Sequence, residues 1–298
     1  MMSPAPMIDD TFAEAFPMMA TRLMITAADE IFVKTAATEF CGNASSVIGC
    51  DCEAAVEQFL TADETIDGRP GVSILAFAFD QGSLQKAVSS RVGQNVLTCP
   101  TTACYAGLPA SQCEKKIKVG ALLRYFGDGY QFSKKLDDRR FWRLPVMDGE
   151  FVCEDQFGIV KGVGGGNLIL TAADQATAIQ AARQAVEAID KLPDVIMPFP
   201  GGLVRSGSKV GSKYATLRAS TNHLWCPTLK GECTSDLQPA EMAVYEIVID
   251  GLSEAAVANA MKVGCESLKQ HSGVIRISAG NYGGKLGPFH FHLHRLAS

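Results

Sequence analysis

Ala243-Val244-Tyr245-Glu246-Ile247-Val248-Ile249 is the stretch on which the reading of this 298-residue chain turns. Branched and aromatic residues dominate it and apolar side chains occupy both alternating faces, the pattern of a strand buried on both sides. Gly251 closes the run, Glu254 to Lys269 carries apolar residues at helical spacing, and Val274 to Ser278 reads as another strand. The unit is β-α-β. Its anomaly is Glu246, which period-two alternation puts on the same face as Val244 and Val248. A buried carboxylate without a partner is costly to ionise and tends to keep its proton at neutral pH. Two bland alternatives stand beside that reading: pairing with a Lys or Arg from another segment, or an edge strand with the Glu in solvent.

Upstream, Ala173 to Lys191 reads as an Ala-rich amphipathic helix, and the strand-like pieces Ile159-Val160 and Asn167 to Leu170 flank the glycines of 162–166. In the first half, Arg22–Ala27, Ser45–Gly49, Val72–Phe79 and Lys118–Phe126 read as strands. Glu30–Phe40, Glu53–Leu60 and Gly82–Val92 read as helices, Asp67–Gly71 as a turn, and the charged segment Lys134–Arg143 as a hairpin. Antiparallel sheets with helices on one face fit this alternation better than a long parallel, doubly wound sheet. The expected fold is therefore α+β in two lobes, an N-terminal one over 1–150 and a C-terminal one over 151–298, joined near 145–160.

With 47% apolar residues the chain can bury a large core. A net charge of −5 argues against nucleic acid as a partner, since phosphate binding needs a concentrated basic surface. No run approaches the roughly 18 apolar residues of a membrane helix, and Met1 to Asp10 lacks a basic start before an apolar core. The expectation is a cytoplasmic protein with no membrane partner. The ten cysteines, scattered without a Cys-x-x-Cys pair, read as reduced core residues.

Three glycine-rich loops are candidates for ligand contact. Gly162 to Gly166 starts like a dinucleotide fingerprint but meets Asn167 where the last glycine belongs, and Gly202 to Lys209 approximates a phosphate loop with Ser208 in the lysine position. The third, Ser278 to Gly287, offers Asn281, Tyr282 and Lys285 among flexible glycines, with a tight irregular turn as its bland alternative. Pro200, Gly201 and Gly202 belong to a rigid loop leading into Arg205, Ser206, Lys209 and Lys213, a basic stretch suited to an anionic ligand tail or simply a solvated loop. His290, His292 and His294 would share a face of a regular strand, but nothing nearby completes a metal set, and no metal is expected.

Longer strings add a different kind of information. Asp10 to Pro17, Asp67 to Gly71, Leu97 to Ala103, Pro198 to Gly202, Ser206 to Lys209, Val244 to Ile249 and Ser278 to Gly287, in this order and spacing, resemble formylmethanofuran:tetrahydromethanopterin formyltransferases over essentially the whole chain. The resemblance implies ferredoxin-like topology in both lobes, a homo-oligomer built as a dimer of dimers, and no prosthetic group. It implies reversible formyl transfer between methanofuran and tetrahydromethanopterin, both of them substrates, with Glu246 as the catalytic carboxylate. Pro200, Gly201, Gly202, Ser206, Lys209, Lys213, Asn281, Tyr282 and Lys285 would line the substrate cleft. Gly93 to Pro100 and the His-rich tail look like a bacterial form, which implies subunits of a formyltransferase/hydrolase complex as partners. A non-catalytic scaffold subunit of such a complex is the alternative.

Overall fold

The computed structural model describes residues 5–113 and 115–296. The fold is mixed α/β, with helices packed on extensive sheet, in two compact units: Met1–Pro17 with Val163–Ser298, and Met18–Gly162. The chain passes between them within two long strands, Phe12–Thr26 and Gln156–Ala172.

In the unit that contains Glu246, the latter part of Gln156–Ala172 lies between two antiparallel neighbours. Ala243–Gly251 runs along one side, with Ile169 opposite Glu246, and Val274–Ser278 along the other, with Ile169 opposite Ser278. The helix Glu254–Gln270 therefore crosses over the central strand, giving a split β-α-β unit. Met7–Ile8 extends the sheet beside Val274–Ser278, and Val195–Ile196 extends it beside Ala243–Gly251. Leu168, Leu170, Ile247, Ile249 and Ile277 form the sheet side of the core. Small side chains let the helices sit close to it: Ala178, Ala181, Ala182 and Ala185 from Gln175–Ile189, and Ala260 and Gly264 from Glu254–Gln270.

Each of these helices starts at a side-chain cap, Asp174 accepting from the Thr177 N–H and Ser253 Oγ accepting from the Ala256 N–H at 3.1 Å. Such a cap satisfies a helix-end donor that has no partner within the helix. Ser253→Ala is expected to lower the stability of this unit by about 1 kcal/mol without changing the fold, measured by urea denaturation.

The Met18–Gly162 unit carries a seven-stranded sheet in the order Glu53–Leu60, Gly71–Ala78, Phe12–Thr26, Ala103–Ala106, Gly149–Glu154, Arg139–Val146, Phe132–Leu136. Only Ala103–Ala106 and Gly149–Glu154 run parallel along this path. Helices Glu30–Cys41 and Gln81–Arg91, capped by Asp29 and Asp80, cover a core that includes Leu23, Ile25, Phe40, Ile74 and Leu84.

Several segments depart from the local reading. Glu53–Leu60 is a strand, although its residues favour helix; pairing with the fully buried Gly71–Ala78 overrides that propensity, and Glu57 is held by Arg22 and Ser73. Ser45–Gly49 is bend and turn, and the stretch after Lys118 forms the helical turns Gly120–Leu123 and Arg124–Gly127. The Gly162–Gly166 run lies inside a strand, at a register irregularity where Gly165 has φ +89° and its N–H meets Asp250 at 3.0 Å. His290 and His292 lie on Phe289–His292, but His294 belongs to the helical turn Leu293–Leu296, so the three imidazoles do not share a strand face.

Candidate functional site

Glu246 sits mid-strand in Ala243–Gly251, held on both sides. Ile169 is its register partner in the sheet, and Val204 bridges it from the other edge, the Val204 N–H donating to the Glu246 carbonyl at 2.8 Å and the Glu246 N–H returning the bond at 3.1 Å. The side chain is 4% exposed. Its carboxylate accepts the Ser208 N–H at 2.9 Å on one oxygen and the Ser208 hydroxyl at 2.7 Å on the other. No Lys or Arg pairs with it among the described residues, which removes the ion-paired alternative. Burial pushes its pKa above the ordinary range, and the two Ser208 donors pull back only part of that rise.

Glycines make the approach of Ser208 possible. Gly201 and Gly202 have φ +64° and +76°, and a Cβ on Gly202 would meet Val186 at 2.9 Å, so the turn packs down on the Gln175–Ile189 helix and delivers Val204 to the strand. Gly207 has φ +73° and passes so close to Asn222 that a Cβ would lie 2.3 Å from that side chain. Gly207→Ala is expected to displace Ser208 and lower turnover roughly 10- to 100-fold while the far-UV circular dichroism stays unchanged.

A cleft of about 260 Å³ is lined by Glu246, Ile169, Val204, Ser206, Asn222 and Trp225, among others. Trp225 is steadied from behind the cleft wall by Arg276, whose guanidinium lies 4.7 Å from the ring centroid. Arg276 is itself fixed by Glu241, with both contacts at 2.7 Å, and by Asp9 at 3.3 Å. A larger cavity of about 500 Å³ lies in the Met18–Gly162 unit. Its buried acid, Glu154, is engaged by Arg139 at 2.9 and 2.6 Å, Asp155 by the Trp142 indole, and the exposed Asp138 by Lys135 at 3.8 Å.

The residues singled out from the sequence fall into distinct groups. Ser206 lines the cleft beside Glu246, whereas Pro200, Gly201 and Gly202 form the supporting turn and do not line it. Lys209 lies against His223, with Nζ 3.1 Å from Nδ1, and Lys213 and Lys285 are exposed. The Asn281 amide is committed to Thr11 Oγ1 at 3.0 Å and the Phe12 carbonyl at 3.2 Å. The Tyr282 hydroxyl accepts the Val210 N–H at 2.7 Å and donates to the Ser208 carbonyl at 3.1 Å, which ties the 278–287 loop to the loop that serves Glu246. Among the described residues no group of His, Cys, Asp and Glu is arranged to hold a metal, and no helix is long and apolar enough to cross a membrane.

Two residues escaped the local reading. Ser208 was legible only as a misfit in a phosphate-loop pattern, because its partner lies 38 positions away. Glu14, a carboxylate inside the strand run Phe12-Ala13-Glu14-Ala15-Phe16, carried the same signal as Glu246 and accepts bonds from residues about as far away in sequence as the chain allows.

Comparison with known proteins decides the family. Residues 1–146 match the family model described as formylmethanofuran-tetrahydromethanopterin formyltransferase, and residues 149–296 match the one described as its proximal lobe. The chain belongs to the formylmethanofuran–tetrahydromethanopterin formyltransferase family. A formyltransferase of that name from Methylococcus capsulatus is 54% identical over 97% of both chains. The solved formyltransferase from Methanosarcina barkeri superposes with a TM-score of 0.91 at 44% identity, covering 98% of each chain. The formyltransferase/hydrolase complex from Methylorubrum extorquens, solved with methylofuran, contains a chain that superposes with a TM-score of 0.93 at 47% identity, covering 98% of this chain and 96% of that one. The chain is an enzyme of this formyltransferase kind.

Proposed function

We propose that the chain transfers a formyl group reversibly between formylmethanofuran and tetrahydromethanopterin, with Glu246 as the acid and base of the exchange. The observation that carries the assignment is that Glu246, 4% exposed and without a cation partner among the described residues, lines a cleft. Both substrates supply their own reacting nitrogens, so the protein's task is to align them, stabilise the intermediate and move one proton.

In the forward direction a ring nitrogen of the pterin attacks the formyl carbon of formylmethanofuran. A new C–N bond forms, the carbonyl electrons move to oxygen, and a tetrahedral intermediate results. Protonated Glu246 donates to the methanofuran nitrogen as the old C–N bond breaks and the carbonyl reforms. The carboxylate left behind takes the proton from the attacking nitrogen, which restores the starting state. Burial raises the pKa of the acid and so favours its protonated form before the step, and the Ser208 N–H and hydroxyl stabilise the transient carboxylate. The Asn281 amide is already engaged by Thr11 and Phe12, and the N–H groups of Gly202, Gly283, Gly284 and Gly287 by partners of their own, so none of these is assigned to the oxyanion.

The rest of the reading follows from the same family. Ser206, Lys209, Lys213 and Lys285 would line the substrate cleft, supported by the cleft position of Ser206. Two lobes, 1–150 and 151–298, each of ferredoxin-like topology, are supported by family matches that change over between 146 and 149 and by the split β-α-β unit, with the first strand completing the second lobe. A cytoplasmic homo-oligomer, arranged as a dimer of dimers or joined by the other subunits of a formyltransferase/hydrolase complex, is the proposed working form, without a prosthetic group. Purified chain mixed with formylmethanofuran and tetrahydromethanopterin is expected to form formyl-pterin, followed by its absorbance, with no added metal or nucleotide. A folded chain that stays silent both alone and with its co-purified subunits would refute the assignment.

A further inference from the structure

Glu14 lies on the Phe12–Thr26 strand, opposite His290, and is 2% exposed. Among the described residues no cation pairs with it: its carboxylate accepts the backbone N–H groups of Tyr282 at 2.7 Å, Gly284 at 3.0 Å, Gly287 at 2.9 Å and Leu286. One oxygen takes Tyr282 and Gly284, the other Leu286 and Gly287, so a single side chain ties down six consecutive residues of an otherwise irregular segment. Gly283 and Gly284 have φ +69° and +76°, and the Cβ of any residue at 287 would fall 2.1 Å from the Ala15 carbonyl. The loop is wrapped around the carboxylate rather than beside it.

What the wrapped loop presents is Tyr282. Its hydroxyl has its proton on the Ser208 carbonyl and a lone pair on the Val210 N–H. It grips the backbone on either side of Lys209, within the segment whose Ser208 makes both bonds to Glu246. We propose that Glu14 and Tyr282 are positioning residues for formyl transfer: Glu14 holds the 282–287 backbone in one conformation, and the Tyr282 hydroxyl passes that order to Ser208 and so to Glu246. This rests on the acid and base role assigned to Glu246 and gives Tyr282 a task other than substrate contact.

The test is a double-mutant cycle on the full chain in the formyl-transfer assay. Tyr282→Phe is expected to lower kcat roughly 10-fold with the KM of both coenzymes changed less than about twofold, because the loss is one of alignment and not of binding. Glu14→Gln, which replaces two acceptor oxygens by one and a donor, is expected to lower kcat at least as much. The double variant should fall no further than the worse single one, since both act through Ser208. Multiplying effects, a rise in KM alone, or an unchanged kcat in Tyr282→Phe would each overturn the proposal. Should Glu14→Gln fail to fold, the cycle of Tyr282→Phe with Ser208→Ala gives the same discrimination. Glu246→Gln is measured alongside: full turnover there refutes the acid and base reading itself, whereas its loss combined with an unaffected Tyr282→Phe refutes only the positioning chain.

Discussion

Glu246→Gln is expected to reduce kcat by about 10²–10⁴-fold, the range that a positioned proton donor contributes, while the protein folds as before. The amide fits the site. Its carbonyl can accept the Ser208 N–H, and its NH2 can donate to the Ser208 hydroxyl, which turns to accept. The substitution therefore removes the proton and little else. Its effect on stability should have the opposite sign to its effect on rate. The folded pKa of Glu246 is raised, so the wild-type contribution is complete below the unfolded value and is lost as pH rises through the folded one. Gln has no proton to lose. Thermal denaturation should show the variant gaining on the wild type toward alkaline pH and losing that advantage in acid. A variant that kept full turnover, or one destabilised at alkaline pH, would contradict this account.

Glu241→Ala is expected to give the largest loss of stability. Glu241 is completely buried and accepts from Arg276 at 2.7 Å on each oxygen, from the Thr171 hydroxyl at 2.8 Å and from the Gln238 N–H at 2.7 Å. The Arg276 side chain is almost as deeply enclosed, with Asp9 and the Asp236 carbonyl as its remaining acceptors. Removing one member of a buried pair leaves the other charged and poorly solvated, at a cost of about 3–5 kcal/mol. For a chain of this size that corresponds to a fall in Tm of roughly 10 °C. Because the Arg276 guanidinium also backs Trp225, turnover measured below the lowered Tm should fall too. A double replacement by apolar residues of matching volume should recover much of the stability but not the support of Trp225. That separates the two roles.

The sequence carried the central strand of the site well. Val274–Ser278 was delimited to the residue, and the Ala243–Gly251 strand and the Glu254–Gln270 helix to within a few residues. Period two and period 3.6 are both strong in this part of the chain, and glycine marks the ends. Glu246 stood out because a carboxylate in an apolar run violates the pattern. Glu53–Leu60 reads as a helix for the opposite reason: Ala, Glu and Gln favour helix locally, and only a neighbour such as Gly71–Ala78 can override them. The glycines of 162–166 looked like a loop because local pattern cannot distinguish a bulge within a long strand from a turn.

The parts of the site that stayed hidden are those made by contacts distant in sequence. Ser208 reaches Glu246 only because Gly207 slips past Asn222. Glu14 meets donors 268 to 273 positions away. No window of residues contains such information. Lys213 and Lys285, singled out for their charge, are exposed to solvent, which is the ordinary fate of a loop lysine.

Glu246 is expected to be a neutral acid at neutral pH. Difference infrared spectroscopy of the wild type against Glu246→Gln reads it directly through the carboxyl C=O stretch. The expected result is a protonated-carboxyl band that is present at neutral pH, disappears only as pH is raised well above the ordinary carboxylate range, and is absent from the variant. A Glu246 that is already fully ionised at neutral pH, with only carboxylate bands distinguishing the two proteins, would contradict it.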